Sequence, residues 1–195
     1  MYINLETIYI LLTCYLVGSI PFGLLLSKLL SKGDPRLVGS KNIGATNIVR
    51  TSGWKLGLLT LIFDMLKGLI TVVIFKNELV EQSFIILFVF LGHLFPIWIR
   101  FKGGKGIAVI IGCLFAYKFI YGLVFSLVWL ITAIVSKYSS LSALVASLSI
   151  LIIIYLQNDN IFLTLLFMVM MIFLKHISNI RRLLEGNELR INLKK

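Results

Sequence analysis

The sequence predicts an all-α, polytopic membrane helix bundle, and three observations carry that prediction. Of the 195 residues, 59% are hydrophobic and mean hydropathy is +1.00, more apolar surface than a soluble domain of this length can bury. The apolar residues come in runs long enough to cross ~30 Å of hydrocarbon as helices, the form in which one segment satisfies its own backbone. The charges are also sorted, with basic residues gathered in alternate connecting segments.

About seven spans are expected within a single integral membrane domain over residues 1–195, at about 4–27, 55–75, 82–100, 106–118, 119–136, 141–157 and 160–176. The first has no basic leader and no small-residue cleavage site, so it reads as a retained span. Within it, Gly18-Ser19-Ile20-Pro21-Phe22-Gly23 should kink the helix and let another backbone approach. Lys28 lies about two turns beyond Pro21, placed either to snorkel toward a pocket or to anchor at the interface. In the second span Asp64 and Lys67 stand at i, i+3 and can pair on one face, as a structural tie between helices or as a functional pair. Residues 106–136 form an apolar run broken only by Lys118, which leaves open one long span or two.

Charge orients the bundle. With the N-terminus outside and the C-terminus cytoplasmic, all but Lys67, Lys76 and Lys118 of the 19 basic residues fall on the inside, from Lys28 to Lys194 and Lys195 in the tail. Glu6, Glu78, Glu81 and Asp159 fall outside. The formal charge of +11 is then a cytoplasmic feature that suits anionic lipid and anionic substrates and needs no nucleic acid. Cys14 and Cys113 lie in apolar segments without metal-type spacing, so they read as buried thiols rather than a disulfide or zinc site.

The unusual sequence lies on the basic side. In Ile-Arg-Phe-Lys-Gly-Gly-Lys-Gly-Ile, residues 99–107, Gly103, Gly104 and Gly106 can turn backbone N–H groups toward one point. Arg100, Lys102 and Lys105 add positive charge, and the helix that follows points its N-terminus at the same place. That is a phosphate seat, unless it is only a tight positive-inside turn. The loop 32–50 is rich in Gly, Ser, Thr and Asn. Ser40, Asn42, Thr46 and Asn47 can hydrogen-bond phosphate or hydroxyl oxygens, and Arg50 can grip a phosphate bidentately. Ser139, Ser140 and Ser142 open the sixth span, as helix caps or as ligands. His176 and Asn179 share a face if the last helix continues, and His176 can act as acid–base group or positioner.

These segments together resemble the acyl-phosphate:glycerol-3-phosphate acyltransferases, small bacterial inner-membrane enzymes that begin phospholipid synthesis. The likeness runs in order through Gly18-Ser19-Ile20-Pro21, Val38–Asn47, Arg50, Asp64–Gly68, Gly92-His93 with Pro96, and Phe101–Gly106. It ends in Ser140-Leu141, His176, Asn179-Ile180, Arg182–Leu184, Gly186 and Glu188. It implies seven helices with the N-terminus outside. It also implies transfer of an acyl chain from acyl phosphate to the 1-hydroxyl of glycerol 3-phosphate, giving lysophosphatidic acid and phosphate. By the same likeness Ser40, Arg50, Lys105, His176 and Asn179 hold catalytic or substrate positions. The loop at 103–106 holds glycerol phosphate, and Glu188 is a structural acid. Lys41 stands where the family usually has Gly, and Ser140-Leu141-Ser142-Ala143 departs from a common Ser-Leu-x-Ser, which leaves Ser140 and Ser142 as alternatives.

An acyl phosphate is already activated, so the expected inventory has no metal and no other cofactor. Partners are the two substrates and membrane lipid, with no nucleic acid, around a monomer. The enzyme needs to hold two phosphates, align a hydroxyl on the carbonyl and stabilise the oxyanion. The His-x-x-x-x-Asp motif of carrier-dependent glycerol acyltransferases is absent, because Trp98 and Arg181 occupy the fifth positions after His93 and His176. Asp34, Asp64 and Asp159 are too scattered for the aspartate cluster of a phosphatidyl-alcohol transferase. An organic-phosphate transporter is the alternative from another class, but it predicts midplane ligands in paired repeats, and the sequence has no internal repeat.

Overall fold

The computed structural model describes residues 4–76 and 80–191; Glu78, Lys194 and Lys195, placed above by charge, lie outside them. Every regular element among the described residues is helical. The helices are α1 (Leu5–Gly18), α2 (Phe22–Leu29), α3 (Ala45–Ser52), α4 (Trp54–Ile74) and α5 (Gln82–Leu94). After a 3₁₀ turn at Ile97–Ile99 come α6 (Ile107–Tyr117), α7 (Phe119–Ser136), α8 (Ser139–Leu156), α9 (Phe162–Lys175) and α10 (Ile177–Leu184).

Four helical stretches are long and apolar enough to cross a bilayer: Trp54–Ile74, Gln82–Ile99, Phe119–Ser136 and Ser139–Leu156. The bent pairs α1 with α2 and α9 with α10 bring the total to six if each is one span. The first bend, 44°, falls where Pro21 lacks an N–H. The second, 58°, falls at His176.

The run 106–136 is two helices. Lys118 adopts an extended backbone between them, and α6 has only 11 residues, roughly 17 Å long. It nonetheless joins opposite ends of the bundle. Lys105, before it, bonds Asn179 at the base of α10, whereas Lys118, after it, pairs with Asp159 between α8 and α9. α7 runs back through 18 residues and is roughly 10 Å longer than α6.

Helices pack through glycine. A Cβ on Gly18 would meet the Val89 backbone and one on Gly92 the Tyr15 carbonyl, so α1 lies directly on α5. Gly68 and Gly112 do the same for α4 on α6. Lipid offers apolar side chains nothing to gain by clustering, so such close backbone approach supplies the attraction. The core is continuous through Val89, Phe90, Ile110, Phe125, Ile150 and Met168, all at most 1% exposed, and Cys14 and Cys113 are buried free thiols.

Candidate functional site

A cavity of about 580 Å³ opens where α3, the Lys105 loop, the start of α8, and α10 with the tail meet. Its polar rim carries Ser40, Asn42, Thr46, Arg50, Lys105, Ser140, His176, Asn179 and Glu188. Its apolar wall is built by Leu58, Leu61, Met65, Ile111, Trp129 and Leu130 from α4, α6 and α7. Polar head and apolar groove thus form one continuous space.

Glu188 ties the rim together. One carboxylate oxygen accepts from Ser140 Oγ at 2.7 Å and Asn179 Nδ2 at 2.6 Å, and the other accepts from Arg182 Nε at 2.7 Å. Burial works against its charge, but the hydrogen bonds from Asn179, Ser140 and Arg182 prevail and hold its pKa below the ordinary value. With its nitrogen on Glu188, Asn179 turns its oxygen to Lys105 Nζ. Burial lowers the Lys105 pKa to about 8; the charge of Glu188 opposes that shift, while Arg182 and Arg50 add to it.

Arg50 is anchored from the tail, donating from one terminal nitrogen to the Leu189 carbonyl at 2.9 Å. Its Nε–H is buried and has no partner among the described residues. Burial lowers the Arg50 pKa from its ordinary value, yet a guanidinium keeps its charge. His176 presents Nδ1 to the Ile172 carbonyl at 2.8 Å. A carbonyl only accepts, so Nδ1 carries the proton and a neutral imidazole keeps its lone pair on Nε2.

The glycine loop works differently from the sequence expectation. Gly103 N–H donates to the Leu94 carbonyl at 3.3 Å and Gly104 N–H to the His93 carbonyl at 3.1 Å, so neither is free for phosphate. Both glycines serve close packing against the His93–Pro96 turn. Gly106, at φ 86°, opens α6 in the left-handed region, where a Cβ would also strike Phe90. The amides that follow, at Ile107 and Ala108, lack intrahelical acceptors by their place in the first turn and border the cavity.

Four further expected substrate residues stand elsewhere or are otherwise engaged. Asn47 borders the cavity, but its amide is consumed folding its own loop. It donates to the Pro35, Val38 and Asn42 carbonyls and accepts from Ser40 N–H at 2.8 Å. Ser142 turns back on the Tyr138 carbonyl at 2.8 Å, so of these two it is Ser140 that lines the cavity, with Ser139 beside it. Tyr138, not a serine, is the N-cap of α8. Lys28 and Lys102 border a different cavity. Asn42 and Thr46 do reach the rim, with Asn42 Oδ1 accepting from Gly44 N–H and Thr46 Oγ1 sharing a hydrogen bond with Ser139.

Asp64 and Lys67 pair at 2.8 Å with side chains at most 3% exposed. Lys67 Nζ also donates to the Ile20 carbonyl at 2.7 Å, beside the Pro21 bend, and lies 3.0 Å from His93 Nδ1. Neither His93 nor Arg182 was expected to hold an individual role, and Ser139 was expected only as a helix cap or ligand beside Ser140 and Ser142. Arg182 was signalled only by its place in the tail motif.

A family model for glycerol-3-phosphate acyltransferase matches residues 8–186. The chain belongs to the glycerol-3-phosphate acyltransferase family. It is 46% identical over 190 residues to the Bartonella quintana glycerol-3-phosphate acyltransferase, covering 93% of this chain and 90% of the relative. The Ehrlichia canis enzyme is 42% identical, with 93% and 97% covered. Among solved structures, the integral membrane glycerol 3-phosphate acyltransferase PlsY in its glycerol 3-phosphate form superposes with a TM-score of 0.90 at 35% identity, covering 96% of each chain. Its lysophosphatidic acid form gives a TM-score of 0.87 at 34% identity, with 96% of each chain covered. This family member is therefore an integral membrane acyltransferase with several apolar spans.

Proposed function

We propose that the protein moves a fatty acyl group from acyl phosphate to the 1-hydroxyl of glycerol 3-phosphate, giving lysophosphatidic acid and inorganic phosphate. It does so as a monomer in the bacterial inner membrane, with seven membrane-crossing elements, the short α6 among them. The N-terminus lies outside and the cavity opens to the cytoplasm, a reading supported by the distribution of basic residues. The observation that carries this reading is the cavity itself. Arg50, whose buried Nε–H has no partner among the described residues, and Lys105 stand on a polar rim that continues into an apolar groove. Relatives named for acylating glycerol 3-phosphate support it.

Arg50 and Lys105 hold the phosphate of glycerol 3-phosphate, with Ser40, Asn42 and Thr46 on its oxygens. The first amides of α6 and Asn179 steady the acyl phosphate and the oxyanion. The apolar wall holds the acyl tail. The 1-hydroxyl oxygen attacks the acyl carbonyl carbon, a C–O ester bond forms, and the carbon–oxygen bond to phosphate breaks. The hydroxyl proton passes to a substrate phosphate oxygen and leaves with inorganic phosphate. His176 Nε2 positions the hydroxyl. Glu188 and the Asp64–Lys67 pair keep the surrounding structure in register.

The direct test is purified protein with palmitoyl phosphate and glycerol 3-phosphate, without added metal or acyl carrier, assayed for lysophosphatidic acid. Product that falls about 10²–10³-fold on Arg50→Ala or Lys105→Ala supports both donor and grips. Folded protein that binds glycerol 3-phosphate but makes no product from acyl phosphate overturns the donor assignment. Movement of glycerol 3-phosphate into sealed vesicles without product would replace the enzyme with a transporter.

A further inference from the structure

A second cavity, about 460 Å³, lies beside the first and shares no lining residue with it. Leu24 and Lys28 reach it from α2, Arg36 from the first loop, and Trp98, Ile99, Arg100 and Lys102 from the turn before the Lys105 loop. One short segment therefore serves both spaces: Arg100 and Lys102 face the second, Lys105 and Gly106 the first.

Four cations meet at this cavity. Arg36 is held by Asp34, with Nε at 2.9 Å from one carboxylate oxygen and a terminal nitrogen at 2.6 Å from the other. Lys28, Arg100 and Lys102 form no ion pair among the described residues. The backbone that presents them is unusual. Arg100 and Phe101 both have positive φ, 54° and 60°, which side chains with a Cβ rarely adopt. Two backbone bonds, Phe101 N–H to Pro96 and Lys102 N–H to Ile99, hold that turn. Such strain in a bulky residue is kept where the turn has work beyond connecting helices.

The surroundings are apolar and open. Trp98 is 62% exposed, Phe101 55% and Leu29 78%. Aromatic side chains beside cations at the end of a membrane span mark the headgroup layer, where a soluble anion would have no use for them. From this juxtaposition we infer that the second cavity binds the phosphate headgroup of an anionic membrane lipid, its acyl chains lying against Trp98, Phe101 and Leu29. The four cations meet the headgroup phosphate while the exposed aromatic and aliphatic surface meets the chains. The cavity needs only a bilayer beside it, whichever acyl donor the first cavity takes. A lipid held there would also fix the segment that carries Lys105.

The test measures retention of dioctanoyl phosphatidic acid, phosphatidylglycerol and phosphatidylcholine on the full chain by native mass spectrometry. Saturating glycerol 3-phosphate is present throughout to occupy the first cavity. The anionic lipids should be retained over phosphatidylcholine. Lys28→Gln alone should weaken that retention roughly fivefold, since each cation at a surface contributes about that factor, and Arg100→Gln with Lys102→Gln roughly 25-fold. Lys32→Gln with Lys55→Gln removes the same charge elsewhere and should change retention less than twofold. Equal loss in this control pair, no preference over phosphatidylcholine, or displacement by equimolar inorganic phosphate would each overturn the assignment.

Discussion

Ser140 Oγ donates to Glu188 Oε1 at 2.7 Å, joining the first turn of α8 to the tail 48 residues later. The same oxygen takes Asn179 Nδ2 at 2.6 Å, so one carboxylate sets the amide whose other end meets Lys105. Glu188→Ala strands two buried donors, Ser140 and Asn179, and releases the one-third-exposed Arg182 to water. A buried donor left unpaired costs about 1–3 kcal/mol. The variant should melt lower and lose at least tenfold in kcat, with the Asn179 amide free to rotate. Glu188→Gln keeps one acceptor oxygen and should retain more of both. Equal behaviour of the two variants in a thermal melt and a product assay would deny Glu188 this organising role.

His176→Ala tests how the proton moves. The Nδ1 proton is fixed on Ile172, leaving Nε2 as the only nitrogen able to accept. If a substrate phosphate takes the hydroxyl proton, the variant should keep measurable turnover, lowered about 10²-fold through lost positioning. Complete loss in a folded protein that still binds glycerol 3-phosphate would make His176 the required base.

The pH profile follows from Lys105. A phosphate monoester gains its second charge near pH 6, so kcat/KM for glycerol 3-phosphate should rise through that region. Burial lowers the free-enzyme Lys105 pKa to about 8. Below it the ammonium is charged and attracts the dianion; above it the charge is lost, so kcat/KM should fall as pH rises through about 8. Lys105→Arg keeps its charge across this range. Whatever its absolute rate, that variant should show no alkaline limb; an unchanged limb would place the titration on another group.

Much of this was legible in residues 32–50, 99–107 and 176–188, because short polar side chains and glycines between apolar runs have few other uses. Arg50, Lys105, His176 and Asn179 are far apart in sequence, yet the cavity gathers all four. What periodicity and composition do not reveal is which polar atoms the fold itself consumes. Asn47 looks like a ligand until its amide is found spent on three carbonyls of its own loop. Gly103 and Gly104 look like a phosphate cradle until their N–H groups meet Leu94 and His93. Lys28 and Lys102 carry the right charge but line the neighbouring cavity, a matter of how α2 and the turn before Lys105 are directed, which a single sequence does not encode locally. The break at Lys118 was legible as well: the spans expected at 106–118 and 119–136, rather than one long span, match α6 and α7.

Lys41 offers a stabilising change. Its φ is 57°, in the region that glycine enters freely and other residues do not. Lys41 is exposed, and the left-handed conformation costs a residue with a Cβ about 1–2 kcal/mol. Lys41→Gly relieves that strain but gives the unfolded chain more freedom, which offsets about half of it. The expected net gain is about 0.5–1 kcal/mol, a rise of roughly 1–4 °C in Tm at this chain length. A lower melting temperature would mean that the lysine side chain itself contributes to the loop.

Asp64 and Lys67 allow a structural tie to be separated from a functional pair. Asp64→Asn leaves Lys67 buried without its counter-charge, which costs about 3–5 kcal/mol in comparable settings. Asp64→Leu with Lys67→Met removes both charges, so most of that loss should return. Recovery should stop short of the original stability, because the Ile20 carbonyl beside Pro21 loses the donor it now has at 2.7 Å. Asp64 also borders the cavity, so activity must be read in parallel with the melt. If the pair only fastens α4 to the bend between α1 and α2, the refolded double variant should keep kcat within about tenfold, as turnover returns with the fold. A double variant as stable as expected but without turnover would instead place Asp64 among the groups that handle substrate, and the tie would be secondary to the chemistry.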